Sequence, residues 1–156
     1  MRLIAGLAAL ALIVVPGRAR AQTAADTAAI LAVTTNLFDA MRSRDTTLLR
    51  STFAPGAQLS TVGTARDGTL RVSFEKPDGF VQAVARPSDV VWDERTYNPE
   101  VRIDQNLATV WMEYDFYAGT EFSHCGVDAF QLAKLADGWK IIALADTRQR
   151  EGCPTR

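Results

Sequence analysis

Strict alternation from Leu107 to Ala118 most limits what this chain can fold into. Ala108, Val110, Met112, Tyr114 and Phe116 fall on one side; Trp111, Glu113, Asp115 and Tyr117 fall on the other. Side chains of a strand point to alternate faces, so this pattern predicts one long strand with an apolar face and a mixed face. The mixed face, with its acids and aromatics, suits a wall for a flat organic ligand, an outer face in solvent, or a surface for a second copy. The chain supplies neighbouring strands on both sides. Residues 90–97 and 101–104 flank Asn98-Pro99, which predicts a break or bulge on an edge strand, because proline has no N–H to give to a ladder. Residues 121–135 and 139–147 follow, joined at Asp137-Gly138, a strong hairpin signal. The second half therefore predicts an antiparallel meander.

The first half carries a different period. Ile30, Val33, Leu37 and Met41 recur at spacings of three and four, and Leu31 and Phe38 widen the stripe, which predicts an amphipathic helix capped by Thr23 or Asp26 and ended at Ser43-Arg44-Asp45. Asp45 or Thr46 then caps a short helix with Leu48, Leu49 and Phe53, stopped by Pro55-Gly56. Residues 57–62 and 70–74 read as a strand pair around the loop 63–69. Gly63 and Gly68 sit at phosphate-loop spacing, but Thr69 stands where a lysine is needed and no buried strand leads in. Pro77 opens a last short helix to Ala85, ended by Arg86-Pro87. Helices gathered early and strands late predict an α+β domain, with the helices packed over the concave face of a curved antiparallel sheet. Such a cone encloses a pocket.

The first residues state where this domain works. Met1-Arg2 is basic, residues 3–15 are all apolar, Pro16-Gly17 breaks the run, and Ala19-Arg20-Ala21 offers a small-x-small cleavage site. That is the build of a secretory signal peptide over residues 1–21, too short to span a membrane. Cleavage before Gln22 leaves residues 22–156 as one domain, exported to the periplasm or beyond. No other stretch is long enough to cross a membrane. The leader takes away Arg2, Arg18 and Arg20 and no acid, so the remaining 14 basic and 18 acidic residues give a net charge of −4. A mildly acidic surface argues against nucleic acid or anionic lipid as the main partner. Cys125 and Cys153 are the only cysteines, and in an oxidising compartment an even pair reads as a disulfide, here tying the C-terminal tail to an inner strand.

Several segments carry a family resemblance. Phe38-Asp39-Ala40-Met41, Asp45, Leu48-Leu49 and Phe53-Ala54-Pro55-Gly56-Ala57 resemble the opening of the nuclear transport factor 2-like superfamily. Phe122-Ser123-His124-Cys125-Gly126-Val127-Asp128-Ala129-Phe130-Gln131-Leu132, Asp137-Gly138-Trp139-Lys140-Ile141 and Ala145-Asp146-Thr147-Arg148 resemble the final hairpin of its secreted, SnoaL-like or lumazine-binding branch. The resemblance implies a cone-shaped α+β barrel, often a homodimer through the outer sheet face. It does not imply one activity, because the superfamily holds isomerases, dehydratases, cyclases, ligand carriers and non-catalytic association domains. Its enzymes place Asp, Tyr or His inside the cone, at positions that differ between families. No family catalytic motif maps residue by residue onto this chain.

The candidate chemistry is sparse. His124 is the only histidine, and Asp128 lies four residues along the same strand, on the same face. They stand roughly 13 Å apart, too far for direct contact but able to address two ends of one ligand. Asp128 and Asp146 face each other across the hairpin if its loop has three residues, and lie on opposite faces if it has two. Facing and buried, they repel, and one becomes an acid or base near neutral pH; alternatively Arg148 neutralises one as a structural pair. One histidine and two cysteines make no zinc site, and no nucleophile elbow or dinucleotide fingerprint occurs. The expectation is thus an exported cone that binds a small apolar or aromatic molecule without metal or cofactor. Tyr114, Phe116, Trp111, Phe38 and Trp92 are its candidate ligand wall; Asp128, Asp146 and His124 are its candidate catalytic groups. An acid/base enzyme and a self-associating scaffold are the alternatives.

Overall fold

A computed structural model describes residues 17–65 and 67–155, giving the backbone alone for residues 17–22. The apolar run at residues 3–15, on which the expectation of export rests, lies outside the described residues. The elements run α1 (Gly17–Ser43), α2 (Thr46–Ser51), β1 (Phe53–Thr64), β2 (Leu70–Glu75), α3 (Pro77–Ala85), β3 (Trp92–Asp104), β4 (Leu107–Ala118), β5 (Glu121–Leu135) and β6 (Gly138–Arg148). The strands form one curved, open sheet in the order β2-β1-β6-β5-β4-β3.

That order makes the sheet mixed, not wholly antiparallel. The last strand inserts between β5 and β1, and β6 runs parallel to β1. A meander pattern shows local pairings only; a pairing between the first and last strands needs the whole chain.

Local signals explain most of the boundaries. Arg44 at φ 59° ends α1, and the Asp45 side chain accepts from the N–H groups of Thr47 and Leu48 to cap α2. Pro77 sits in the first turn of α3. On the edge strand β3 the register slips between Tyr97 and Glu100, at Asn98-Pro99, so the proline marks a bulge. Two readings need correction. Phe53 belongs to β1, not α2, which ends at Ser51. Thr23 and Asp26 are not caps, because α1 begins at Gly17. Asp26 is instead a buried acceptor, taking hydrogen bonds from Lys134 Nζ at 2.6 Å and Trp139 Nε1 at 3.1 Å.

The core fills one end of the cone. Ile30, Leu37, Phe38 and Met41 of α1 pack on Val110, Phe130, Leu132 and Ile141 of the concave face, with Phe38 edge-on to Phe130 at 6.1 Å. Alternating burial along β4 follows the sequence: Ala108, Val110, Met112 and Tyr114 are buried, and Trp111 is exposed on the convex face. With α1 at one end only, the other end of the concave face stays open.

Cys125 and Cys153 form a disulfide with Cα atoms 5.9 Å apart. Beside it Gln149 and Cys125 exchange two backbone hydrogen bonds, so the tail is fixed to β5. The bridge closes a separation of 28 residues. The double variant Cys125→Ala, Cys153→Ala is expected to lose about 3 kcal/mol in urea unfolding while keeping its far-ultraviolet spectrum. An unchanged midpoint would show that the tail contributes nothing to stability.

Candidate functional site

The open end of the cone is a cavity of about 1170 Å³. Phe38 and Met41 of α1, Phe80 of α3, Trp92 of β3 and Phe116 of β4 make its apolar wall. Polar side chains from five adjacent strands line it. Glu94, Phe116 and His124 lie in one cross-strand row, Thr96, Tyr114 and Gly126 in the next, and Met112, Asp128 and Asp146 beyond, with Thr61 of β1 beside Asp146.

Asp128 does face Asp146, but not through a three-residue loop. The turn holds only Ala136 and Asp137, with Leu135 opposite Gly138. Alone, that turn would give a register one residue short. The register then shifts between Gln131 and Leu132, leaving Ile142 as an extra residue on β6 that brings Asp146 opposite Asp128.

The two aspartates have different roles. Asp146 is fully engaged. Its Oδ1 accepts from Thr61 Oγ1 at 2.6 Å, and its Oδ2 accepts from Arg148 Nε at 2.6 Å and from Tyr114 OH at 3.5 Å. Tyr114 OH donates its shorter bond, 2.7 Å, to the carbonyl of Thr147. Burial and the surrounding carboxylates push the Tyr114 phenol up, so it stays protonated. Asp128 is buried, and among the described residues no amide, hydroxyl or cationic group donates to its Oδ2. Its partner is the carboxyl of Glu94, half-buried on the neighbouring wall. Two carboxyl groups bond each other only when one carries a proton. Burial, then the Glu94 charge and hydrogen bond, raise Asp128 well above the usual carboxylate range. Burial raises Glu94 to about 7. The pair therefore shares a proton near neutral pH.

His124 is not a protonated partner for either aspartate. It stacks on Phe116 at 4.9 Å and meets Tyr114 edge-on at 5.7 Å, while Nδ1 contacts Ser123 Oγ at 3.0 Å. Burial, then the charge of Arg148, pushes it down to about 4. At neutral pH it is an uncharged aromatic wall.

The cavity brings together Asp128, Asp146, His124, Tyr114, Phe116, Phe38 and Trp92. Trp111 is the exception. It lies on the convex face beside a shallow groove with Phe74, Ala129 and Ala143, away from the cavity. The sequence reading missed Glu94. The signal was present: Glu94 follows Trp92 by two residues on one strand, so a wall position for Trp92 carries Glu94 with it. Among the described residues no cluster of His, Cys, Asp and Glu suits a metal ion.

Comparison with known proteins agrees with this architecture. A family model described as "Putative lumazine-binding" matches residues 25–145. A nuclear transport factor 2-like protein with a cystatin-like fold from Novosphingobium aromaticivorans superposes with a TM-score of 0.68 at 12% identity, covering 86% of this chain and 88% of that one. A Streptomyces avermitilis protein described as a "putative dehydratase" of the same family gives 0.65 at 15% identity, covering 82% and 99%. A protein of unknown function with a cystatin-like fold from Nostoc punctiforme gives 0.64 at 14%, covering 82% and 94%. At these identities the likeness is one of fold. No curated protein matches the chain. With the helices over the concave face and the family match across most of its length, the chain belongs to the lumazine-binding-like family of the nuclear transport factor 2-like superfamily.

Proposed function

We propose that this protein binds a small, largely apolar or aromatic molecule in the open end of its cone. The carrying observation is the cavity of about 1170 Å³, with aromatic rings on its walls and the Glu94–Asp128 pair on one side. Ligand pockets of this kind are mostly apolar, with a few placed polar groups that fix orientation. The leader pattern at residues 1–21 and a disulfide both suit work outside the cytoplasm. The convex face suits a second copy. Phe74 and Trp111 project there beside small Ala129, Ala143 and Ala145, and Glu100 and Arg102 offer opposite charges that a two-fold axis can pair. Native mass spectrometry of protein purified from its own host tests both parts. A dimer mass with an organic adduct that leaves on activation is expected. A bare monomer that also fails to bind a neutral naphthalene alcohol would overturn the reading.

The shared proton favours acid/base catalysis as a second reading. The ionised member of the pair accepts a proton from carbon, and the protonated member returns one to another atom of the same ligand. The bound molecule, recovered after incubation in deuterated water, then carries deuterium on carbon. Asp128→Asn abolishes that label if the pair acts as the base; an equal label in both proteins would exclude it.

A further inference from the structure

Resting on the ligand-binding reading, we propose that the ligand's polar end is a cationic nitrogen, an amine or amidine, seated on Glu94 and Asp128. Asp128 is 2% exposed and lines the cavity, and among the described residues no amide, hydroxyl or cation donates to its Oδ2. A buried carboxylate oxygen without a donor is costly, and an N–H from a ligand is the natural complement. Among the described residues no cation fills that role. Arg148 is bound to Asp146, and their charges cancel.

The other described residues leave the balance negative. Tyr114 from β4 and His124 from β5 are neutral, and α1 and α3 bring only apolar side chains to the cavity. Glu75 of β2 and Arg150 and Glu151 of the tail line it as well, with a net negative sum. Whenever the pair loses its proton, this end of the cavity carries uncompensated negative charge. An ammonium group replaces that proton: its N–H groups donate to Asp128 and Glu94, and the displaced proton leaves for solvent. Its apolar body then lies among Trp92, Phe116 and Phe38. Trp92 stands edge-on to Phe116 at 6.3 Å, and ring faces near a cation add to its binding.

Calorimetric titration of the full chain with three probes tests this: 2-(1-naphthyl)ethylamine, 2-(1-naphthyl)ethanol and 1-naphthylacetate. At about pH 8 the amine is expected to bind on the order of tenfold tighter than the alcohol, and the acetate weakest. Near pH 5.5, where the pair keeps both protons, the amine's advantage is expected to shrink to about threefold or less. Between these limits amine binding releases protons, read as heat that varies with the buffer. Glu94→Gln is expected to remove most of the amine's preference while the alcohol still binds. If that variant does not fold, the pH series on the unaltered chain decides. Equal affinity of amine and alcohol at both pH values would overturn the cationic head and leave the apolar cavity standing. Tightest binding of the acetate would also overturn it, and failure of all three probes would overturn both readings.

Discussion

Asp128→Asn is expected to stabilise this protein at pH 8, by about 2 kcal/mol, although most changes at buried polar positions destabilise. In the folded chain the Glu94–Asp128 pair holds protons that the unfolded chain releases above its ordinary carboxylate range. The native state then binds more protons than the unfolded one, so stability falls as pH rises. For Glu94, raised from 4.5 to about 7, the stability present below the lower value is lost through the upper one, a difference of about 3 kcal/mol. His124 opposes this. Lowered from 6.5 to about 4, it gives stability that grows as pH rises between those values. Below about pH 6.5 His124 offsets only one of the two protons that the pair retains, so stability already falls there, by about 1.4 kcal/mol per pH unit. Above it only the acid pair remains, and each retained proton gives a fall of about 1.4 kcal/mol per pH unit. Urea unfolding from pH 6.5 to 8.5 is therefore expected to show falling stability in the unaltered chain and a flatter line for Asp128→Asn. The asparagine amide donates to the Glu94 carboxylate and needs no shared proton. A variant that loses stability equally at every pH would contradict this account of the pair. A natural chain that keeps a destabilising acid pair fits a site selected for something other than stability.

Gly126→Ala is expected to lose about 3 kcal/mol or more. An added Cβ would stand 1.9 Å from the Thr147 carbonyl oxygen and 2.9 Å from Tyr114 Cε1. The first neighbour is backbone and cannot swing aside, so β6 or the Tyr114 ring must move. Tyr114 lies directly opposite Gly126 and reaches across β5 to the Thr147 carbonyl, and only a glycine leaves room for that crossing. The same variant is expected to weaken ligand binding, because the displaced ring borders Asp146. Urea midpoints measure the first effect and naphthylethanol titration the second. A loss under about 0.5 kcal/mol would show that the close approach carries no strain.

Periodicity made the elements legible and pairing made the site. The alternation along β4, the proline opening α3 and the bulge at Asn98-Pro99 are local features, so residue types alone report them. The parallel β1–β6 pairing joins distant segments and leaves no local mark. The two hairpin registers left open for Asp128 and Asp146 were decided by Ile142, an extra residue that is apolar and unremarkable in sequence. Arg148 as a structural partner for Asp146 was readable from its spacing on the strand. Glu94 was not readily visible, because an acid between Asp93 and Arg95 resembles a solvated edge. Its importance comes from the hydrogen bond to a residue on another strand, and no single segment holds that information.

The central claim is that Glu94 and Asp128 hold one proton between them beside a ligand cavity. Carbon-detected nuclear magnetic resonance of the side-chain carboxyl groups across pH 3 to 10 tests it most directly. The account predicts that the resonances of these two residues move together in two coupled steps, both above the ordinary carboxylate range, and that Asp128→Asn leaves a single Glu94 step, still raised by burial. Independent titration of both groups near pH 4 would contradict it.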